Sequence, residues 1–357
     1  MENSIDFVPE QNERLGQSKS MPEKPLTVRR LAQLCRVSKS TVAMALRNDP
    51  RIAAPTRKKI REVAARRGYA PDPRISHLMS LLKRKRREPI WNVAWLNSAE
   101  WEDAWTRLPW FAGYLKGAER QALELGYDID HLWIEEHGPL QLARVLQARG
   151  IHGLLIPFPE RPAYWTGFPW DQFSAVVVDE WEVRLSLPRV MSDRHRNMRL
   201  LLARLHAQGY RRPALWLQKR VDEVSDAAYS GAFLGWHFRQ FTVKPLVWIF
   251  EEPDSRALLR NIRRHQPDVL ICSHNQTRDL LEAGGLSVPD SIAVVHLNLA
   301  SDVPGWSGIN QRQEAIGAAA MDMLNALLIG GQTGISVHPQ AISVPGIWKQ
   351  GATSRAR

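Results

Sequence analysis

The chain lacks several features that would decide its class at once. In 357 residues it has two cysteines, Cys35 and Cys272, each set in an apolar run, which predicts reduced, buried thiols rather than a disulfide framework. No apolar stretch approaches the roughly 20 residues that a membrane-spanning helix needs. The opening MENSIDFVPEQNERLGQSKSMPEKP has no apolar core of signal-peptide length, so a soluble, cytoplasmic protein with no membrane partner is expected. There is no glycine-rich phosphate loop, no helix with paired metal ligands and no nucleophile elbow. His77, His131, His274 and His296 stand at no metal-ligand spacing and read as structural. The expectation is therefore no catalytic residue, no metal and no cofactor.

Acids are scarce in one place. Between Lys24 and Arg87 nineteen Lys and Arg face three acids, Asp49, Glu62 and Asp72, a local charge of +16 in a chain whose net charge is +11. The basicity belongs to one segment, and such asymmetry fits a polyanion partner, because each neutralised phosphate releases condensed counterions. The first 25 residues are rich in Glu, Gln, Ser and Pro and read as a disordered tail.

From Leu26 onward the pattern predicts three short helices. Thr27 is placed to cap the first, whose Val28, Leu31, Ala32 and Cys35 recur at i, i+3, i+4, i+7. After the turn Arg36-Val37, Ser38 is the next natural N-cap. In the helix that follows, Val42, Ala45 and Leu46 share one face, and Lys39, Ser40, Ala43, Met44 and Arg47 share the other. A third helix is expected over 56–67, with Ile60, Val63 and Ala64 inward and Gly68 as its stop. Two helices joined by a short turn, the second showing a small basic face, form a helix-turn-helix that lays its second helix in a major groove. Lys39 and Arg47 reach acceptors or phosphates, Ser40 donates or accepts, and Met44 offers apolar contact such as a thymine methyl takes.

The stretch LTVRRLAQLCRVSKSTVAMALRNDPRIAAPTRKKIREVAARRGYAPDP resembles the headpiece of the LacI/GalR family of bacterial transcription regulators. The match lies in Thr27, Ala32, the run from Val37 to Val42, Leu46, Asn48, Gly68-Tyr69 and Pro71. The resemblance implies that Lys39, Ser40 and Met44 read bases and that Thr27, Ser38, Thr41, Asn48 and Tyr69 hold phosphates. Four positions depart from the family pattern: Arg30 replaces an acid, Arg36 replaces the turn glycine, and Ala43-Met44 replaces a Ser-Arg pair. The operator sequence is thus not transferable, since losing that arginine removes about 1–3 kcal/mol of discrimination at one base pair. In the following linker, Ile75, Leu78, Met79 and Leu82 again fall on one stripe, predicting a short hinge helix. The resemblance implies that Leu78 wedges into the minor groove. Arg74 completes the DNA-facing set, and the run from Lys83 to Arg87 adds phosphate attraction.

Past Ile90 strand-like runs alternate with helical ones, with strands over 92–96, 129–134 and 154–157 and helices over 110–125 and 139–149. The pattern restarts at RPALWL and continues through LVWIF, DVLICS and IAVVHL. Two similar lobes with parallel, doubly wound sheets are expected. Here the resemblance is weaker but runs to about Trp348, and it implies a periplasmic-binding-protein-like fold whose lobes close on a small molecule outside the strands' carboxyl ends. Position suggests an effector-facing set of Phe111 and Trp110, Asp193, His274-Asn275 and Asn298, with Trp101 and Trp105 from the insertion NSAEWEDAWTRL. Many sugar-binding members have aspartate at Asn298 and arginine at Ala228; losing both argues against a typical sugar or carboxylate ligand.

The expected class is therefore α + α/β: a tail over 1–25, a three-helix helix-turn-helix headpiece over 26–73, a hinge helix and basic linker over 74–90, a two-lobed effector-binding and dimerisation domain over 91–350, and a tail over 351–357. The expected function is a homodimeric repressor of transcription on double-stranded DNA with an inverted-repeat operator, controlled by a small-molecule effector, a sugar or related metabolite. A constitutive DNA-binding regulator with a non-functional pocket and a solute-binding protein are the alternatives; the basic N-terminal unit counts against the latter.

Overall fold

The computed structural model describes residues 28–46, 51–67, 91–107, 109–159, 162–179, 185–240, 244–299 and 304–355. The expected N-terminal tail and the hinge helix lie outside them. The chain divides after Asp72 into two compact units.

The first unit is built from helices α1 (Val28–Cys35), α2 (Lys39–Leu46) and α3 (Ala54–Arg66). Leu31, Ala32, Cys35, Val42, Ala45, Ile60 and Ala64 are buried together, with Val37, Leu46, Ile52 and Val63 packed around them. Of the stripes that periodicity marks, Leu31, Ala32 and Cys35 of the first helix and Val42 and Ala45 of the second are buried. The third begins two residues earlier than expected, because Pro55 sits in its first turn, where proline's fixed φ suits a helix start and its missing N–H costs nothing. Between α1 and α2 the chain reverses on Arg36, whose φ is +56°. The reversal is fixed by Val37 N donating to Ala32 O at 3.0 Å and Arg36 N to Gln33 O at 3.3 Å.

The second unit has two α/β lobes. The first runs β1 (Trp91–Asn97), α4 (Ala104–Arg107), α5 (Pro109–Leu125), β2 (Tyr127–Trp133), α6 (Pro139–Ala148), β3 (Gly153–Pro157), α7 (Pro162–Trp165), β4 (Ser174–Val178) and β5 (Arg189–Ser192). The second runs α8 (Arg194–Ala207), β6 (Pro213–Gln218), α9 (Lys219–Val224), α10 (Ala228–Gln240), β7 (Leu246–Phe250), α11 (Ser255–His265), β8 (Val269–Cys272), α12 (Thr277–Ala283), β9 (Ala293–Leu299) and β10 (Ser307–Asn310). Then α13 (Gln313–Gly330) and β11 (Ala341–Val344) return to the first lobe, and β12 (Ile347–Lys349) closes the second. The sheets are ordered β11-β5-β4-β3-β1-β2 and β12-β10-β9-β8-β6-β7, every pairing parallel except that of β12 with β10. The strand order reverses beside β1 and beside β6, so each sheet opens a crevice at the carboxyl ends of its strands there.

The chain passes between lobes three times: at Asp193, at Gln311-Arg312 and at Pro345-Gly346. The buried Asn197 ties two of these passages, accepting from Gly346 N at 2.7 Å and donating to Ser192 Oγ at 3.0 Å. Asp193 N donates to Val344 O at 3.0 Å. Although α13 follows a strand of the second lobe, it packs on α5 of the first. A Cβ on Gly117 would stand 2.0 Å from Glu314 O, and one on Gly317 would stand 1.9 Å from Tyr114 O. Only hydrogen fits at either place, which lets the two backbones touch. Among the described residues no helix is long and apolar enough to cross a membrane.

Candidate DNA-binding face and effector crevice

At the start of α2 the Ser38 hydroxyl accepts from Thr41 N at 3.0 Å and shares a 2.8 Å hydrogen bond with Thr41 Oγ1, the N-cap that its residue type favours. Ser38 and Lys39 are exposed; Thr41 and Met44 are half-buried. Met44 therefore presents an edge rather than a whole side chain. Thr27, Arg47, Asn48, Tyr69, Arg74 and Leu78, together with the Ser40 side chain, lie outside the described residues. Glu62 is the sole acid among the described headpiece residues, against basic side chains on all three helices. The face is electropositive without internal compensation.

In the second unit, aromatic side chains from the start of α5 pack with those at the carboxyl ends of β1 and β3. Phe111 is 2% exposed, edge-on to Trp95 at 6.0 Å and tilted on Phe158 at 5.5 Å, and Tyr114 meets Phe158 edge-on at 5.0 Å. The buried Asn97 donates to Trp101 O at 2.8 Å and to Glu102 O at 2.9 Å, so the insertion is pinned to the end of β1. Trp101 is 38% exposed, and the Arg107 guanidinium lies 5.6 Å from its ring centroid, a cation–π contact. The side chains of Trp105 and Trp110 lie outside the described residues.

In the second lobe, the corresponding carboxyl ends are those of β6, β8 and β9. Trp216 stacks on Phe250 at 4.4 Å and meets His274 edge-on at 5.9 Å. Burial lowers the His274 pKa. Asn275 is exposed. His296 is buried with Nδ1 accepting from Asn298 N at 3.0 Å, which leaves its proton on Nε2, and burial pushes its pKa down to about 4. Asn298 Oδ1 accepts from Gln313 Nε2 at 2.8 Å, a link to the helix that leans on the other lobe. Asp193 caps α8 by accepting from Arg196 N at 3.0 Å. Of the residues nominated by position, Phe111 is buried in the first lobe's core, Asp193 caps α8 and Asn298 is tied to Gln313.

Between the lobes lies a network that nothing in the sequence singled out. Asp179, just past β4 and 1% exposed, takes Arg194 Nη2 on Oδ1 at 2.5 Å and the Tyr114 hydroxyl on Oδ2 at 2.7 Å. Tyr229, on α10, accepts from Gln311 Nε2 at 2.8 Å, and Gln311 also donates to Leu297 O at 3.1 Å. Tyr114 and Asp179 belong to the first lobe; Arg194, Tyr229 and Gln311 belong to the second or to its passage. Burial alone would lower the Arg194 guanidinium, but the Asp179 carboxylate more than reverses this and holds it charged. Burial and the same carboxylate raise the Tyr114 hydroxyl well above its ordinary pKa, and burial raises that of Tyr229. Both phenols remain donors at neutral pH. The only sequence signal was an ionisable residue at each place where an apolar strand ends, VVVD and SDR. Among the described residues no three His, Cys, Asp or Glu gather to hold a metal ion.

Two family profiles match the chain: that of "Bacterial regulatory proteins, lacI family" over residues 27–72, and that of the periplasmic binding protein-like domain over residues 202–354. No curated protein sequence matches. Solved structures share the fold. A transcriptional regulator CelR–cellobiose complex is 19% identical with a TM-score of 0.56, covering 92% of this chain and 100% of that one. The lac repressor dimer bound to operator and the anti-inducer ONPF is 19% identical with a TM-score of 0.55, covering 93% and 100%. The transcription regulator CcpA of Lactococcus lactis is 14% identical with a TM-score of 0.54, covering 74% and 99%.

Proposed function

Since the chain belongs to the lacI family of bacterial regulatory proteins, which are DNA-binding transcription regulators and not enzymes, we propose that it is a cytoplasmic repressor acting as a homodimer on an inverted-repeat operator, with a small molecule between its α/β lobes controlling its grip. The observation that carries the reading is the joining, in one chain, of an uncompensated basic helix-turn-helix to a two-lobed unit with a polar and aromatic crevice at the strands' carboxyl ends. A headpiece this small reads only a half-site, and a two-fold dimer supplies the second. Lys39 and Met44 are the base-facing pair, with Ser38 and Thr41 on the phosphates beside them.

At this end of the lobes Asp179 and Arg194 neutralise each other, leaving the solvent-reaching Trp101, His274, Asn275 and Asn298 to meet a ligand. That inventory suits an uncharged, ring-bearing or hydroxyl-bearing metabolite. The cellobiose bound in the CelR complex is a precedent of that kind. Coupling of such a ligand to DNA is worth about 1–3 kcal/mol in systems of this type.

The test is selection of genomic fragments by the purified protein, read for a two-fold symmetric motif, followed by a thermal-shift screen of sugars and related metabolites. A sharp inverted repeat that blurs in Lys39→Ala or Met44→Ala supports the reading; motif-free binding overturns it. A second reading, a regulator with no effector, draws on the Asp179–Arg194 pair that already bridges the lobes. It is chosen if no metabolite shifts the melting of the α/β unit or alters operator affinity.

A further inference from the structure

Arg36 turns the chain between α1 and α2 with φ at +56°, in the left-handed region where a β-carbon is strained and glycine is not. The turn itself gains nothing from the side chain: its hydrogen bonds are made by the backbones of Arg36 and Val37. Nor does the fold use the guanidinium, since Arg36 is exposed and, among the described residues, no carboxylate pairs with it. It lines a shallow concavity with Ala32, Gln33, Val37, Ser38 and Lys39, so two cations border the first turn of α2.

We propose that Arg36 is a DNA-backbone contact, holding a phosphate beside α2 and so setting how that helix enters the groove. This rests on the reading of the headpiece as DNA-binding. Guanidinium suits the role, because its planar fork grips phosphate oxygens and stays charged, and such contacts position a protein on the duplex without reading sequence. A strained backbone held by the rigid Ala32–Val37 reversal also fixes the Cα from which the side chain reaches.

The experiment uses the full chain, the selected operator fragment and a scrambled fragment, titrated over a series of salt concentrations, with thermal melts alongside. Arg36→Gly is expected to weaken binding to both fragments and to make the slope of log K against log salt shallower by about 0.9 for each phosphate no longer neutralised, while the headpiece melts no lower than the wild type. Arg36→Lys is expected to keep the slope. An unchanged slope in Arg36→Gly overturns the proposal. Weakening confined to the operator fragment also overturns it, since it would make Arg36 a base reader. Lower melting in Arg36→Gly together with equal weakening in Arg36→Lys overturns it in favour of a structural role. If the wild type itself binds neither fragment in a salt-dependent way, the DNA reading of the headpiece has failed, and with it the proposal.

Discussion

Replacing Arg194 by methionine removes the cation from a contact largely withdrawn from solvent: the Arg194 and Asp179 side chains are 11% and 2% exposed, and their nearest atoms are 2.5 Å apart. Two unit charges about 4 Å apart attract by about 4 kcal/mol at an effective dielectric near 20. Breaking a buried pair from one side costs about 3–5 kcal/mol, because the other charge is left uncompensated. Tyr114 still donates to Asp179, so the carboxylate keeps one partner and the loss for Arg194→Met is expected at the low end of that range, about 3 kcal/mol. The double variant Asp179→Asn/Arg194→Met removes both charges and is expected to lose less than the single one. The assay is equilibrium urea unfolding followed by tryptophan fluorescence. All 14 tryptophans lie at or beyond Trp91, so the signal reports the α/β unit and not the headpiece. A single variant within about 1 kcal/mol of wild type, or a double variant as costly as the sum of the two singles, would refute the reasoning.

Leu31, fully buried in the small headpiece core, should cost about 2–5 kcal/mol as Leu31→Ala; DNA binding is expected to disappear while the fluorescence-detected transition stays in place. His296 has its pKa lowered to about 4 by burial, so the unfolded chain takes up its proton first as pH falls below about 6.5. Stability is therefore present above that pH and is lost as pH falls toward 4, by about 2 kcal/mol between pH 7 and 5, and His296→Gln should flatten that part of a urea-midpoint profile. Gly317→Ala places a methyl group against the Tyr114 carbonyl and is expected to destabilise the α/β unit by about 1–3 kcal/mol or more, whereas alanine at the open Gly231 helix position should cost nothing measurable in the same assay.

The headpiece was legible because its information is local. Leu31, Val42 and Ile60 sit on stripes a few residues long, and Ser38 announces its own cap. The lobes were legible as alternation, but β4, β5, β10, β11 and β12 were not picked out; β11 and β12 follow α13, outside the βα alternation that marks the rest. Nothing local tells α13 to pack against α5 rather than the lobe it has just left, since that choice is made by Gly117 and Gly317 meeting across the contact. The crevice network was invisible for the same reason. Tyr114, Asp179, Arg194, Tyr229 and Gln311 come from five separate stretches, and only the closing of two sheets brings them together. Asp193 was picked by position, and the structure shows it capping α8.

The three passages between the lobes also restrict how the protein can respond to anything that binds it. Two bodies joined by one strand keep all their rotations, and two strands leave an axis. A third passage, with the Asp193 and Gly346 passages bonded to each other through Asn197 and Val344, favours small rotation about that axis over twisting or sliding. A ligand held between the lobes would therefore act chiefly along that one coordinate. Ligands of different shape would differ in how far they drive it, not in which direction.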